Sequence, residues 1–138
     1  MVNGGGSEAE SWAVLLDLPY ISTRPGATPT RIDDAEGRLH EVMPPSLRAL
    51  YLQTDGVWHR DGQWDVIWPL QERIARNGHP DARRFGLAFG DDGTGNPFCI
   101  DAGGAIAYWS EINAESTWLS GDLESFWKAW CRGDLPPH

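Results

Sequence analysis

Apolar positions along the chain change spacing from helical to extended and back to helical, and each change marks an element boundary. Ala9, Trp12, Ala13 and Leu16 recur at helical intervals behind a Ser7/Glu10 capping-box spacing until Pro19 stops the run, predicting a short amphipathic first helix. Tyr20 to Pro29, with Arg24, Pro25-Gly26 and Pro29, shows no core pattern and reads as an irregular connection. Thr30 and Asp33 repeat the capping spacing. After them Ile32, Ala35, Leu39 and Val42 fall on one stripe while Asp34, Glu36, Arg38 and Glu41 face elsewhere, predicting a helix over 31–42. Pro44 and Pro45 break it and open the next helix, whose apolar face is Leu47, Leu50 and Tyr51 and which Asp55-Gly56 ends. The two are expected to run antiparallel about the proline corner.

Beyond Gly56 the spacing becomes extended. Trp64 to Trp68 is aromatic and β-branched behind an Asp61-Gly62 turn, with Trp64, Val66 and Trp68 on one face. A short helix over about 70–76 is expected after Pro69. Phe85, Leu87 and Phe89 then alternate, Phe98 to Ile100 forms a second run and Ala105 to Trp109 a third, with Asp101-Ala102-Gly103-Gly104 as the hairpin connection between them. Helical spacing returns at Leu123, Phe126, Trp127, Trp130 and Cys131, after a Ser120-Gly121-Asp122 start and before Gly133 and Pro136. The sum is an α+β fold: an antiparallel or mixed sheet of at least four strands flanked by helices. Residues 1–6, with three consecutive glycines, are set apart as a disordered start, leaving 7–138 as one domain.

Composition sharpens this picture. Fifteen aromatic residues, eight of them Trp, supply enough apolar surface to hold such a body without covalent staples. Cys99 and Cys131 have no metal-type spacing and read as two buried free thiols. No apolar run is long enough to span a membrane and no basic-then-apolar leader opens the chain, so a cytoplasmic location is expected. Eleven Lys and Arg against twenty Asp and Glu leave a net charge of −9, which disfavours direct nucleic-acid binding and favours a cationic partner.

The densest polar feature is Phe89-Gly90-Asp91-Asp92-Gly93-Thr94-Gly95-Asn96. A phosphate cradle there lacks a basic residue and a following helix, and a calcium loop lacks ligands at alternate positions and a terminal Glu. The pattern suits a wide connection in which Gly93 and Gly95 take positive φ and Asp91, Asp92 and Asn96 bond nearby backbone N–H groups. No GxSxG elbow is present, and His40, His59, His79 and His138 have no spacing that pairs two of them. Trp12, Trp127 and Trp130 sit on apolar stripes, which speaks for core rather than a sugar-binding platform, while Trp109 and Trp118 have no assigned place. Trp58-His59-Arg60-Asp61 reads as an aromatic, charged loop before the first strand. It serves either as a contact surface or as packing over a sheet edge.

Taken together, Ile32 to Val42 with Glu36, Pro44 to Gly56, Val66 to Leu70, the Phe89 to Asn96 loop with Phe98 to Trp109, and Leu123 to Trp130 resemble the Smi/Knr-type family of the SUKH superfamily over about residues 28–132. Two departures are a Met-Pro-Pro step before the second helix and a basic 71–84 connection. The resemblance implies an α+β fold with a mixed sheet flanked by helices and no catalytic residues. It also implies an immunity protein, like the bacterial members that neutralise toxins, often nucleases, or a regulatory scaffold like the fungal ones. The expectation is therefore a protein-binding domain, not an enzyme, without cofactor or metal, whose partner is a cationic toxin domain. The candidate contacts are Trp58, His59 and Asp61, then Asp91 and Asp92. The alternative functions are a regulatory domain with no toxin partner and a hydrolase built on Asp91, Asp92 and His59.

Overall fold

The computed structural model describes residues 12–77, 86–110 and 115–135. Residues 12–15 form a helical turn, the end of the expected first helix, whose start lies outside the described residues. Helix α1 spans Pro29–Leu39 and buries Ile32, Ala35 and Leu39. Its cap is Thr28, not Thr30: the Thr28 hydroxyl accepts the Arg31 N–H at 3.2 Å and Pro29 occupies the first turn, where its missing N–H costs nothing. The helix also stops three residues short of the expected end. His40 turns left-handed (φ 53°, ψ 45°) and its N–H returns to the Glu36 carbonyl. Val42 consequently leaves the stripe and is 87% exposed, while Met43 enters the core in its place.

The Glu36 carboxylate holds this corner by accepting the Met43 N–H at 2.7 Å and Arg48 Nη1 at 3.2 Å. Helix α2, Pro45–Gln53, presents Leu47, Leu50 and Tyr51 inward as expected. Asp55 then does two jobs: Oδ2 pairs with Arg31 at 2.8 Å, and Oδ1 accepts the N–H of Leu70, also at 2.8 Å. It thereby caps helix α3, Leu70–Arg76, whose own N-cap is a proline with no side-chain acceptor. Within α3, Arg73 is fully buried, paired with Glu41, and donates through Nε to the Ala88 carbonyl at 3.1 Å.

One seven-stranded sheet runs in strict chain order. Its strands are β1 Ile21–Thr23, β2 Val57–His59, β3 Trp64–Ile67, β4 Leu87–Asp91, β5 Pro97–Ile100, β6 Ile106–Ser110 and β7 Glu115–Ser120. Every neighbouring pair is antiparallel, so the mixed alternative does not hold. The stretch read as irregular contains β1 and buries Ile21 and Ala27. Three residues are too few to show a period of two. The Trp64, Val66, Trp68 alternation also breaks, because β3 ends at Ile67 and Trp68 packs with Ala88 and Cys99 in a second small cluster. The hairpin at 101–104 forms as expected, with Asp101 Oδ1 accepting the N–H groups of Gly103 and Ala105, both at 2.9 Å. Phe85 lies outside the described residues.

Helix α4, Leu123–Arg132, is capped by Asp122, which accepts the Ser125 N–H at 2.7 Å, and ends at left-handed Gly133. Its Phe126 ring meets Phe98 at 4.8 Å and Phe89 at 5.9 Å, both edge-on, and Phe98 contacts Tyr108 at 5.0 Å. Trp127 is fully buried and donates its indole N–H to the Leu15 carbonyl at 3.0 Å, tying the last helix to the first turn. Trp130 and Cys131 are only half-buried, shallower than the stripe implied. Both thiols are free, and Cys99 alone is buried. No helix among the described residues is long and apolar enough to cross a membrane.

Two measurements check these roles. Replacing Asp55 by Ala leaves the buried Leu70 N–H without an acceptor and is expected to cost about 2 kcal/mol in urea unfolding, whereas Arg38→Ala, at an exposed pair with Asp34, changes stability by less than about 0.5 kcal/mol. Burial pushes the Cys99 thiol up from 9.0 to about 12 against the opposing Arg73 charge, and burial, then Asp92, pushes the Tyr108 hydroxyl up from 10.0 to about 12. The fold thus favours the neutral forms. Their contribution is complete below the unfolded values and disappears as pH rises through the folded ones, so unfolding free energy should hold to about pH 8.5 and fall steeply from about pH 9 to 12.

Candidate functional site

Strict antiparallel order sorts the connections by end. The β2–β3, β4–β5 and β6–β7 connections emerge at one end of the sheet, and the β3–β4 and β5–β6 connections at the other. The first end therefore gathers His59, Asp61, Asp91 and Asp92 from separate parts of the chain. Trp58 does not join them. It and His59 lie on β2, not in a loop, and adjacent strand residues face opposite sides of a sheet. Trp58 sits opposite Ser22 and Asp65, and lines a shallow groove with Ser22 and Arg24, whose Nη1 pairs with Asp65 at 2.9 Å.

Trp64 joins the hairpin to the loop. The His59 imidazole stacks on its ring with centroids 4.5 Å apart and planes 18° apart, and its indole N–H donates to the Asp91 carbonyl at 3.0 Å. Glycine is required on both sides of that ring. A Cβ at Gly62 would collide with it, and a Cβ at Gly93, where φ is +87°, would stand 3.1 Å away. The Nδ1 of His59 accepts the Gly62 N–H at 2.9 Å, which fixes the hairpin against the imidazole. Trp130 approaches His59 edge-on at 6.0 Å and Tyr20 lies 5.7 Å from His59, extending the ring cluster from the residue before β1 to β2, β3 and α4. Burial, then the hydrogen bond it shares with Cys131, raises the Tyr20 hydroxyl above its ordinary range.

The two carboxylates of the loop are engaged in shaping it. Asp91 Oδ1 accepts the Gly93 N–H at 2.7 Å and Oδ2 accepts the Trp68 indole N–H at 3.1 Å. Asp92 Oδ1 accepts from the Thr94 N–H at 2.8 Å, the Thr94 hydroxyl at 2.6 Å and the Asn96 N–H at 3.4 Å. Gly93 and Gly95 take positive φ as the sequence pattern demands, while the Asn96 side chain bonds Thr94 Oγ1 rather than backbone. Neither carboxylate lies in a hydrogen bond with His59. Among the described residues no three His, Cys, Asp or Glu side chains converge on a possible metal position. Asp61, by contrast, is exposed at the hairpin tip.

Charge is divided unevenly. From residue 85 to 127 the chain has seven carboxylates and no Lys, Arg or His, so this quarter-turn of strands and the start of α4 carries most of the net charge of −9. The ion pairs between described residues all lie outside it, in the helices, β1–β3 and the end of α4. Sequence reasoning read Trp64 as the start of a strand and Tyr20 as part of an irregular connection, and so missed both as members of this end. The absence of any basic residue across β4–β7 was a visible signal. Residues 26–128 match the SMI1/KNR4 family (SUKH-1) model. No curated protein matches the chain.

If Trp64 is the joint between hairpin and loop, Trp64→Ala should speed amide hydrogen exchange at Gly62 and Gly93 together, by about ten-fold or more, while leaving the 101–104 hairpin unchanged. Acceleration confined to one of the two connections would show that they are held independently.

Proposed function

The chain belongs to the SMI1/KNR4 family (SUKH-1), and we propose that it is an immunity protein acting in the cytoplasm, neutralising a cationic toxin domain by binding it. The observation that carries this reading is the charge division: ion pairs engage the arginines of α1, α2 and α3, whereas β4–β7 has no basic residue. A nuclease grips phosphate with Lys and Arg, so a surface with the opposite charge is complementary to it and speeds the encounter. The resemblance to the toxin-neutralising bacterial members of the family supports the same reading. The arrangement supports binding rather than turnover, since the aspartates of the loop are bonded to backbone and indole donors that hold its shape.

The proposed contacts are His59 and Asp61 at the hairpin, with Asp91 and Asp92 shaping the loop beside them. Trp58, on the opposite face, takes part where the partner wraps around the sheet edge at β1. Aromatic anchors ringed by charge are the usual composition of such hot spots.

The test is co-expression with the toxin encoded by the neighbouring gene. The wild-type chain should co-purify with the toxin and protect the host, the association rate should fall as salt rises, and Asp61→Lys should lower that rate about five- to ten-fold at low salt. Absence of both binding and protection contradicts the immunity reading, and capture of a non-toxin cellular protein instead would favour a regulatory scaffold.

A further inference from the structure

A seven-stranded open sheet has two edges, and the two are treated differently here. At the β1 edge the strand is three residues long, and the Arg60 guanidinium ties it down, donating to Ser22 Oγ at 2.8 Å and to the Pro19 carbonyl at 3.1 Å. Short edge strands are one way in which proteins keep edges from pairing. Among the described residues, the β7 edge has neither protection. It is six residues long, contains no Pro, Lys or Arg, and its only register shift faces the Ile106/Ala107 step at its far end. Among the described residues, its backbone makes no hydrogen bond to any element other than β6. Glu115 and Ser116 are exposed, and Trp118 is 62% exposed, the largest apolar side chain so placed. It shares a cross-strand row with Ala107 and Cys99, on the face of the sheet away from α4.

We propose that the outer edge of β7 is a docking strand for an extended, cationic segment of a partner protein, which adds to the sheet by backbone pairing while its Lys or Arg side chains lie over Trp118. Charge selects the occupant. Glu115 and Asp122 flank the strand within the stretch that has no basic residue, so a basic strand is attracted. A second copy of this chain, paired antiparallel with itself, would bring Glu115 of each copy toward Asp122 of the other and is repelled. The inference deepens the proposed function, resting on its cationic protein partner and supplying the surface and conformation by which that partner binds. It is spatially separate from the His59–Trp64 end except where β7 begins.

The test is an amide NMR titration of the full chain at low salt with a short peptide of alternating lysine and threonine, and with its glutamate–threonine counterpart. The expected result is that shifts concentrate at Glu115–Ser120 and at the Trp118 indole and that the acidic peptide is inert. Trp118→Ala and Ser116→Lys should each weaken binding about ten-fold, the scale of a lost interface anchor, while Val42→Ala, at an exposed position beyond α1, changes little. Shifts centred elsewhere, an equal response to the acidic peptide, or concentration-dependent self-association through β7 would overturn it. The two readings fail separately. If the neighbouring toxin is neutralised but neither it nor the peptide touches β7, this inference alone falls. If the peptide pairs with β7 but no toxin is bound, the immunity reading alone falls.

Discussion

Phe126 and Trp127 of α4 press into the face of the sheet that carries Phe89, Phe98 and Tyr108, and the geometry of the molecule follows from burying those rings. A buried aromatic side chain contributes about 1.5–3 kcal/mol through the area it removes from water, and edge-on ring pairs add to that. Covering this one face commits α4, the helical turn at 12–15 and α2 to the same side. The register of β4, β5 and β6 is fixed with it, because a one-residue slip would turn Phe89 or Phe98 away from the core. Once the register is fixed, the ends of the sheet are fixed too, and with them the meeting of the β2–β3 hairpin and the β4–β5 loop around Trp64.

The polar architecture complements this core. Glu36, Asp55 and Glu41 each reach from one helix segment to the next and satisfy a backbone N–H or a guanidinium that burial would otherwise leave unpaired. That use of carboxylates requires arginines, and they are found there. The strands β4–β7 are held chiefly by backbone ladders, apolar rows and Asx-type turns, with Arg73 of α3 reaching in only to the Ala88 carbonyl of β4. The division of charge that favours a basic partner is thus a by-product of how the two parts of the fold are held together, and binding can exploit it at no cost to the core.

Much of this was legible in the residues. Proline and glycine punctuation placed α2, α3 and the 101–104 hairpin nearly to the residue, and the i, i+3, i+4 stripe placed α4. Short strands were not legible: β1 and β2 have three residues each, and β7, Glu-Ser-Thr-Trp-Leu-Ser, has only two apolar residues, adjacent to each other, and so shows no alternation. The misplaced cap at Thr30 shows a competition that local pattern cannot settle, since both threonines precede a plausible first turn and Pro29 decides for Thr28. At the candidate site, the loop chemistry of Asp91 to Asn96 was readable because Asx turns are local. The pairing of His59 with Trp64, and the separation of Trp58 from both, depend on strand parity that becomes known only when β2 is recognised.

The central claim is that the partner meets the β side of the molecule, where β4–β7 carry carboxylates and no basic residue, and not the ion-paired helices α1 and α2. Hydrogen exchange of the complex with the neighbouring toxin domain, compared with the free chain, tests it most directly. The account predicts new protection in the 60–63 hairpin, the 91–96 loop and β7, with α1 and α2 unchanged. Protection concentrated on α1 and α2, with those three segments exchanging as in the free protein, would contradict it.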